Sequence, residues 1–260
     1  FKKIVPKKNE LKEILEKSFK YLNNSFDNIT YKQTQIFRRN HENLDCDRHF
    51  KVFNKFQIIP KYCFNCYKIQ INLQNVVELI KLYFLFNKDL LDNSNLRKCM
   101  VEVRPNIKGN YKGFIYFKNP NDALFGKEIL EKEIKENDIK IKSIEIKHGC
   151  SEFSEKYPKY KKINFYGDQE FKYDEKWDQF EKIIDKEKIK RGKEDKLYIG
   201  RTLNLFTISD ALIIQNWLNY AKLLGDKSYE NLFKNEIKDN FLKSVLKDQY
   251  NFRKSDFESD

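Results

Sequence analysis

Two pairs of metal-ligating side chains stand close together in the first quarter of the chain, Cys46-x-x-His49 and Cys63-x-x-Cys66, with thirteen residues between them. A two-residue gap lets both members of a pair reach one tetrahedral ion, and a connecting loop of this length closes readily. Three thiols and an imidazole suit zinc, which is the expected cofactor; capture by thiols alone suits an iron–sulfur centre and would recruit Cys99 or Cys150. No His-Glu metalloprotease pattern is present, so a structural ion is expected rather than a catalytic one. Cys150 is also a candidate fourth ligand in place of His49. It follows His148 and Gly149, and an imidazolium beside a thiol would make a nucleophile. The chain is leaving a strand at this point, however, so this His need not touch this Cys. The plainer alternative is that Cys63 and Cys66 are small apolar residues packed beside Phe64.

Other chemistry is excluded by pattern. There is no Walker loop, no Gly-x-Gly-x-x-Gly and no Gly-x-Ser-x-Gly, and 8 glycines in 260 residues leave little to cradle a nucleotide phosphate. With 40% hydrophobic and 35% charged residues the chain reads as a soluble protein with a real core. Its longest apolar run, Leu82 to Phe86, is far short of the roughly 20 residues that cross a bilayer, so no membrane partner is expected. Five cysteines without a visible secretion signal point to a reducing, cytoplasmic setting. The net charge of +12 is concentrated in residues 1–150, which carry 29 Lys/Arg against 18 Asp/Glu; the remainder carries 22 against 21. That excess favours a polyanionic partner, although 43 of the 51 cations are lysine, as in any AT-rich coding sequence.

The elements that must position these residues follow from periodicity. Asn9 caps a helix with Leu11, Ile14, Leu15, Phe19 and Leu22 on one side. Thr30 to Arg39 reads as a strand or an irregular segment, and His41 to Phe50 as a polar turn. Then come a strand at Tyr67 to Ile71, a helix through Val76, Leu79, Ile80, Tyr83 and Phe84, a strand at Cys99 to Val103 and a turn at Asn106 to Asn110. A strand at Gly113 to Phe117, a helix after Asn119-Pro120 and a strand at Ile139 to Ile146 complete the series. The order βαββαβ gives an α+β, ferredoxin-like core over residues 61–150. Residues 1–60 form an N-terminal helix and metal-binding loop. Residues 151–200 read as an ordered but irregular excursion over the surface, followed by a helical hairpin packed on the core. Its first arm is capped by Thr207 and Asp210 and stopped by Gly225; its second is capped by Ser228 and carries Leu232, Phe233, Ile237, Phe241, Val245 and Leu246.

Lys112-Gly113-Phe114-Ile115-Tyr116-Phe117 resembles the third-strand motif of the RNA-recognition-motif family, a basic residue, Gly and an aromatic, over a unit spanning roughly residues 62–147. The resemblance implies single-stranded RNA or another polyanion as partner, with Phe114 and Tyr116 stacking on bases, Tyr67 supplying the first-strand aromatic, and Lys112 and Arg104 adding charge. Ile115 and Asn119 depart from that pattern. A metal-dependent enzyme or enzyme subunit using the cysteine cluster, with Arg97, Arg104 and Cys150 at a substrate, is the rival reading. A purely structural interaction module is the third, and whether the chain is an enzyme stays open.

Overall fold

The alternation that begins at Tyr67 becomes a central strand. The structure, a computed structural model, describes residues 5–25, 33–38, 44–88, 95–104, 107–190 and 206–232. Among these residues it has the α+β architecture of a five-stranded antiparallel sheet with seven α-helices. The strands are β1 (Gln35–Arg38), β2 (Tyr67–Leu73), β3 (Arg97–Val101), β4 (Tyr111–Phe117) and β5 (Ile141–His148), in the spatial order β1-β3-β4-β2-β5. The helices are α1 (Lys8–Ser25), α2 (Cys46–Phe56), α3 (Val76–Phe86), α4 (Pro120–Glu136), α5 (Ser151–Lys156), α6 (Asp178–Lys190) and α7 (Ile208–Leu224).

Each chain reversal has a local cause. The Asn75 side chain accepts from the Glu78 amide to start α3, and Asn119 accepts from the Asp122 amide to start α4, with Pro120 at its first turn. Thr207 and Asp210 form the reciprocal capping box of α7, and Gly225 ends it at φ 84°. The crossovers through α3 and α4 each pass over one strand, so β4 lies between β2 and β3, and β2 between β4 and β5.

One face of the sheet is the main core. Ile69, Ile71, Cys99, Val101, Ile115 and Phe117 point into it and meet α3 and α4, while α1 and α7 extend it toward β1. This explains the glycine of the Lys-Gly-Phe motif by packing alone. A Cβ on Gly113 would lie 2.3 Å from Leu82 Cδ2 and 3.3 Å from Ile71 Cδ1. At the β1 edge the buried Arg38 guanidinium donates to Asp210 Oδ2 at 2.7 Å, the Tyr83 hydroxyl at 2.7 Å and Asn87 Oδ1 at 2.6 Å, tying β1, α3 and α7 together. Trp217 Nε1 donates to the Thr34 carbonyl at 2.8 Å, and the Tyr220 hydroxyl to the Glu102 carbonyl at 2.8 Å.

Two expectations change, and one open alternative narrows. Residues 46–50 open helix α2 instead of a turn, because His49, Val52 and Phe53 recur at helical spacing and are buried together. Residues 151–190 are more regular than expected: α5 and α6 are joined by a stretch with 3-10 turns at Pro158–Lys161 and Glu175–Trp177. They bury Phe153, Tyr160 and Ile184 with residues of α2 and the 59–63 segment. Thr30 to Arg39 resolves into β1 at Gln35–Arg38. The second arm of the hairpin is described only as far as a 3-10 turn at Ser228–Asn231 and Leu232; Phe233 to Leu246 lie outside the described residues.

Gly113→Ala is expected to cost about 1–3 kcal/mol from overpacking, and less in a Leu82→Ala background where the side chain it meets is gone. Urea unfolding of the two single variants and the double variant measures this; additive losses would show that Gly113 is not held by that contact.

Candidate metal centre and the cavity beside it

The opposite face of the sheet carries the sequence motifs, and it is roofed. Phe37, Lys98, Met100, Phe114, Tyr116 and Lys68 form the floor of a cavity of about 440 Å³. Its roof comes from Phe50 of α2, Tyr62, and Phe153 of α5. Four cysteines border this cavity: Cys46, Cys63, Cys66 and Cys150.

Backbone geometry brings the four together. After Pro60 the chain makes a 3-10 turn at Lys61–Asn65, with the Cys63 amide donating to the Pro60 carbonyl and the Cys66 amide to the Cys63 carbonyl. Cys66 then enters β2, whose pairing with β5 sets Tyr67 opposite His148. One step further the Gly149 amide donates to the Cys66 carbonyl at 2.7 Å, which delivers Cys150 to the same end of the sheet. Gly149 is required there. Its φ is 55°, and a Cβ would lie 1.9 Å from the Tyr160 hydroxyl, which itself donates to the Cys63 carbonyl at 2.6 Å. Cys46 arrives from above as the first residue of α2.

The thiols feel burial and one another. Burial, followed by the charge that Cys150 would carry, raises the Cys46 thiol to about 11. The same two causes push Cys66 up to about 12, and Cys63 is raised further by burial and by all three of the others. The Tyr116 phenol is pushed well above its ordinary value, first by burial and then by Cys66, Cys150 and Cys46. Cys46, Cys63 and Cys66 are therefore protonated at neutral pH unless a cation replaces the protons. Among the described residues no group of three or more Cys, His, Asp or Glu side chains is placed, as it stands, so that it could hold a metal ion.

Cys99 separates from this cluster, whereas His49 borders the same cavity as the four thiols. The His49 ring stacks on Tyr62 with centroids 5.1 Å apart. Cys99 points into the main core on the far face of the sheet. His148 is not offered to Cys150 either. Its Nδ1 lies 2.7 Å from the Tyr160 carbonyl and its Nε2 3.0 Å from the Phe64 carbonyl, and its ring is sandwiched between Tyr67 and Tyr160. The Cys150–His148 nucleophile thus has no geometry to support it.

The residues named for base contacts are mostly covered. Tyr67 is 3% exposed beneath His148, and Lys112 is 1% exposed and paired with Glu102. Phe114 is 5% exposed, with the ammonium groups of Lys68 and Lys98 lying 5.4 and 5.0 Å from its ring centre. Tyr116 is half-buried, and Arg104 is held by Glu102 and Glu152. Stacking of bases on Tyr67 or Phe114 would require rings open to solvent, and these two are closed. Arg97, named in the enzyme reading, is buried and donates to the carbonyls of Phe86 and Lys88. The sequence reading missed Lys68 and Lys98. Their signal was strand alternation, which puts both on the face of Phe114 once β4 is known to lie between β2 and β3.

No family model matches the chain, and no curated protein or solved structure matches it either.

Burial, and then the neighbouring Arg48 guanidinium, hold the His49 imidazole below its ordinary value of 6.5. The unfolded chain takes up that proton more readily, so this contribution to stability is complete above pH 6.5 and is lost as pH falls through and below it. Unfolding free energies between pH 8 and 5 are expected to decline toward acid, and His49→Phe, which keeps a ring against Tyr62, is expected to flatten the decline.

Proposed function

We propose that this protein holds a structural zinc ion on the thiolates of Cys46, Cys63, Cys66 and Cys150. The ion fastens α2, the 61–66 turn and the β5–α5 junction over one face of a ferredoxin-like core. The observation that carries this reading is the convergence of four thiols from three distant segments on one cavity. An all-sulfur donor set suits a borderline-soft divalent ion, and raised thiols exchange protons for metal on binding. Binding draws the sulfurs inward to about 2.3 Å from the ion. Cys150 takes the fourth position in place of His49, whose ring is engaged with Tyr62. The chain order of β2, α3, β3, β4, α4 and β5 and the spatial order β3-β4-β2-β5 support the ferredoxin-like assignment. The role is structural, since no ligand position is left open for substrate.

Anaerobic purification followed by metal analysis tests the site. One zinc per chain is expected, reduced sharply by Cys63→Ser, Cys66→Ser and Cys150→Ser and retained in His49→Phe. Loss of metal in His49→Phe with retention in Cys150→Ser would return the fourth position to His49. A brown, iron-containing protein would replace zinc by an iron–sulfur centre, and a wild-type chain without metal would remove the reading.

A second reading concerns the polyanion partner and rests on a different surface. Lys108, Lys147 and Lys161 line an open groove of about 560 Å³ on the β5 side, together with Gln70, Ser151 and Ser154. Single-stranded RNA would follow this groove through its phosphates rather than through bases stacked on Phe114. The affinity of a short oligoribonucleotide, read by fluorescence anisotropy, is expected to fall with salt and to weaken in a Lys108→Gln, Lys147→Gln, Lys161→Gln triple variant. Salt-independent binding, or binding unchanged in the triple variant, would rule the groove out.

A further inference from the structure

Lys68 and Lys98 stand on the cavity floor beside the four thiols, and no function has yet been given to them. Both are half-buried, and strand pairing sets Lys68 opposite Tyr116 and Lys98 opposite Phe114 on one sheet face. Their ammonium groups meet over the same ring, 5.4 and 5.0 Å from the centre of Phe114, and Lys98 also lies 5.7 Å from that of Phe37. Among the described residues neither makes an ion pair with a carboxylate. The other buried charges of this wall balance each other: Arg104 and Lys112 are both bonded to Glu102, and Arg104 also to Glu152. Asp45, half-buried like the lysines, and the exposed Asp47 also line the cavity, at the start of α2. Two like charges held together in a partly desolvated cavity are costly unless an anion meets them.

We infer that the tetrathiolate site is built for a divalent ion, because Lys68 and Lys98 supply the two positive charges that such a site leaves unbalanced. This rests on the thiolate–metal reading above. Four thiolates and one divalent ion sum to a charge of −2, and the two lysines bring the assembly to zero. A monovalent ion would leave it at −1 and a trivalent ion at +1. The lysines are positioning residues that act through the sulfurs, which explains why they touch an aromatic floor and no carboxylate.

The test uses the full chain, prepared anaerobically, with Lys68→Met, Lys98→Met, the double Met variant and the corresponding Arg variants. Zinc affinity is read by competition with a chromophoric chelator. The zinc dissociation constant is expected to rise about tenfold per lysine removed, the usual scale for groups that support metal ligands, and to return toward wild type in the Arg variants. The cobalt-substituted double Met variant is expected to keep its sulfur-to-cobalt absorption bands, since the ligands are unchanged. The metal-free double variant is expected to melt no lower than wild type, because a repulsive pair has been removed. Wild-type zinc affinity in the double Met variant would overturn the inference, and so would a loss of affinity that only follows a loss of metal-free stability. Retained zinc affinity with lost binding of inorganic phosphate would instead assign the pair to a dissolved anion. A wild-type chain that binds no metal at all would fail earlier, in the stoichiometry, and so distinguishes failure of the metal reading from failure of this one.

Discussion

The register between β2 and β5 is the constraint on which the rest of this structure depends. Tyr67 faces His148, and the pairing runs back through Ile69 with Ile146 and Ile71 with Ile144. A strand has a period of two, so a slip of one residue would turn Ile69 and Ile71 out of the core and Lys68 and Gln70 into it. The same slip would part Cys66 from Gly149 and withdraw Cys150 from the other thiols. Core formation and assembly of the thiol cluster are thus set by one choice of alignment. Pairing of β2 on its other side with β4 adds a second check on that choice.

The two faces solve different problems. The helix-covered face is apolar except where it meets β1. There Arg38 is desolvated and its charge is met by Asp210, with Tyr83 and Asn87 completing the donors' partners. Such a pair contributes little net stability compared with apolar residues, but removing one member strands the other, at a cost of about 3–5 kcal/mol. Its use here is to specify how α7 lies against β1. The roofed face is built from aromatic rings, thiols and lysines, while the stack of Tyr67, His148 and Tyr160 closes the end of the β2–β5 pair, with Tyr67 on the same side of β2 as Ile69 and Ile71. Asp210 illustrates how much a single residue carries: it closes the helix cap through Thr207 and neutralises Arg38.

Much of the core was legible because local signals agreed. Asn75, Asn119, Thr207 and Gly225 each mark a helix end, and the alternation of Tyr67 to Ile71 and Gly113 to Phe117 marks strands. Helix α2 was not legible from its first residues, since Asp45-Cys46-Asp47-Arg48 is polar and its apolar stripe begins only at His49. The covering of Phe114 was not legible either. Its roof comes from α2 and α5, far away in sequence on either side, and no local pattern announces a long-range contact. The pair Cys46-x-x-His49 lies within one turn of that helix, and both residues border the cavity. On a helix that begins at Cys46, His49 is one turn on and falls on the stripe that packs under Tyr62. Cys150 entered the sequence reading only as an alternative to His49, because its approach to the other thiols depends on strand order.

β5, eight residues long, is an end strand of the sheet among the described residues. A long, flat edge invites a strand from a second copy and is a known route to aggregation. Here Lys142, Glu145 and Lys147 interrupt the isoleucines along that edge. Matching a second β5 against it would bring like charges into close array and desolvate them. The lysine-rich surface therefore has a use that needs no ligand: it keeps the open margin of the sheet from becoming adhesive to its own kind.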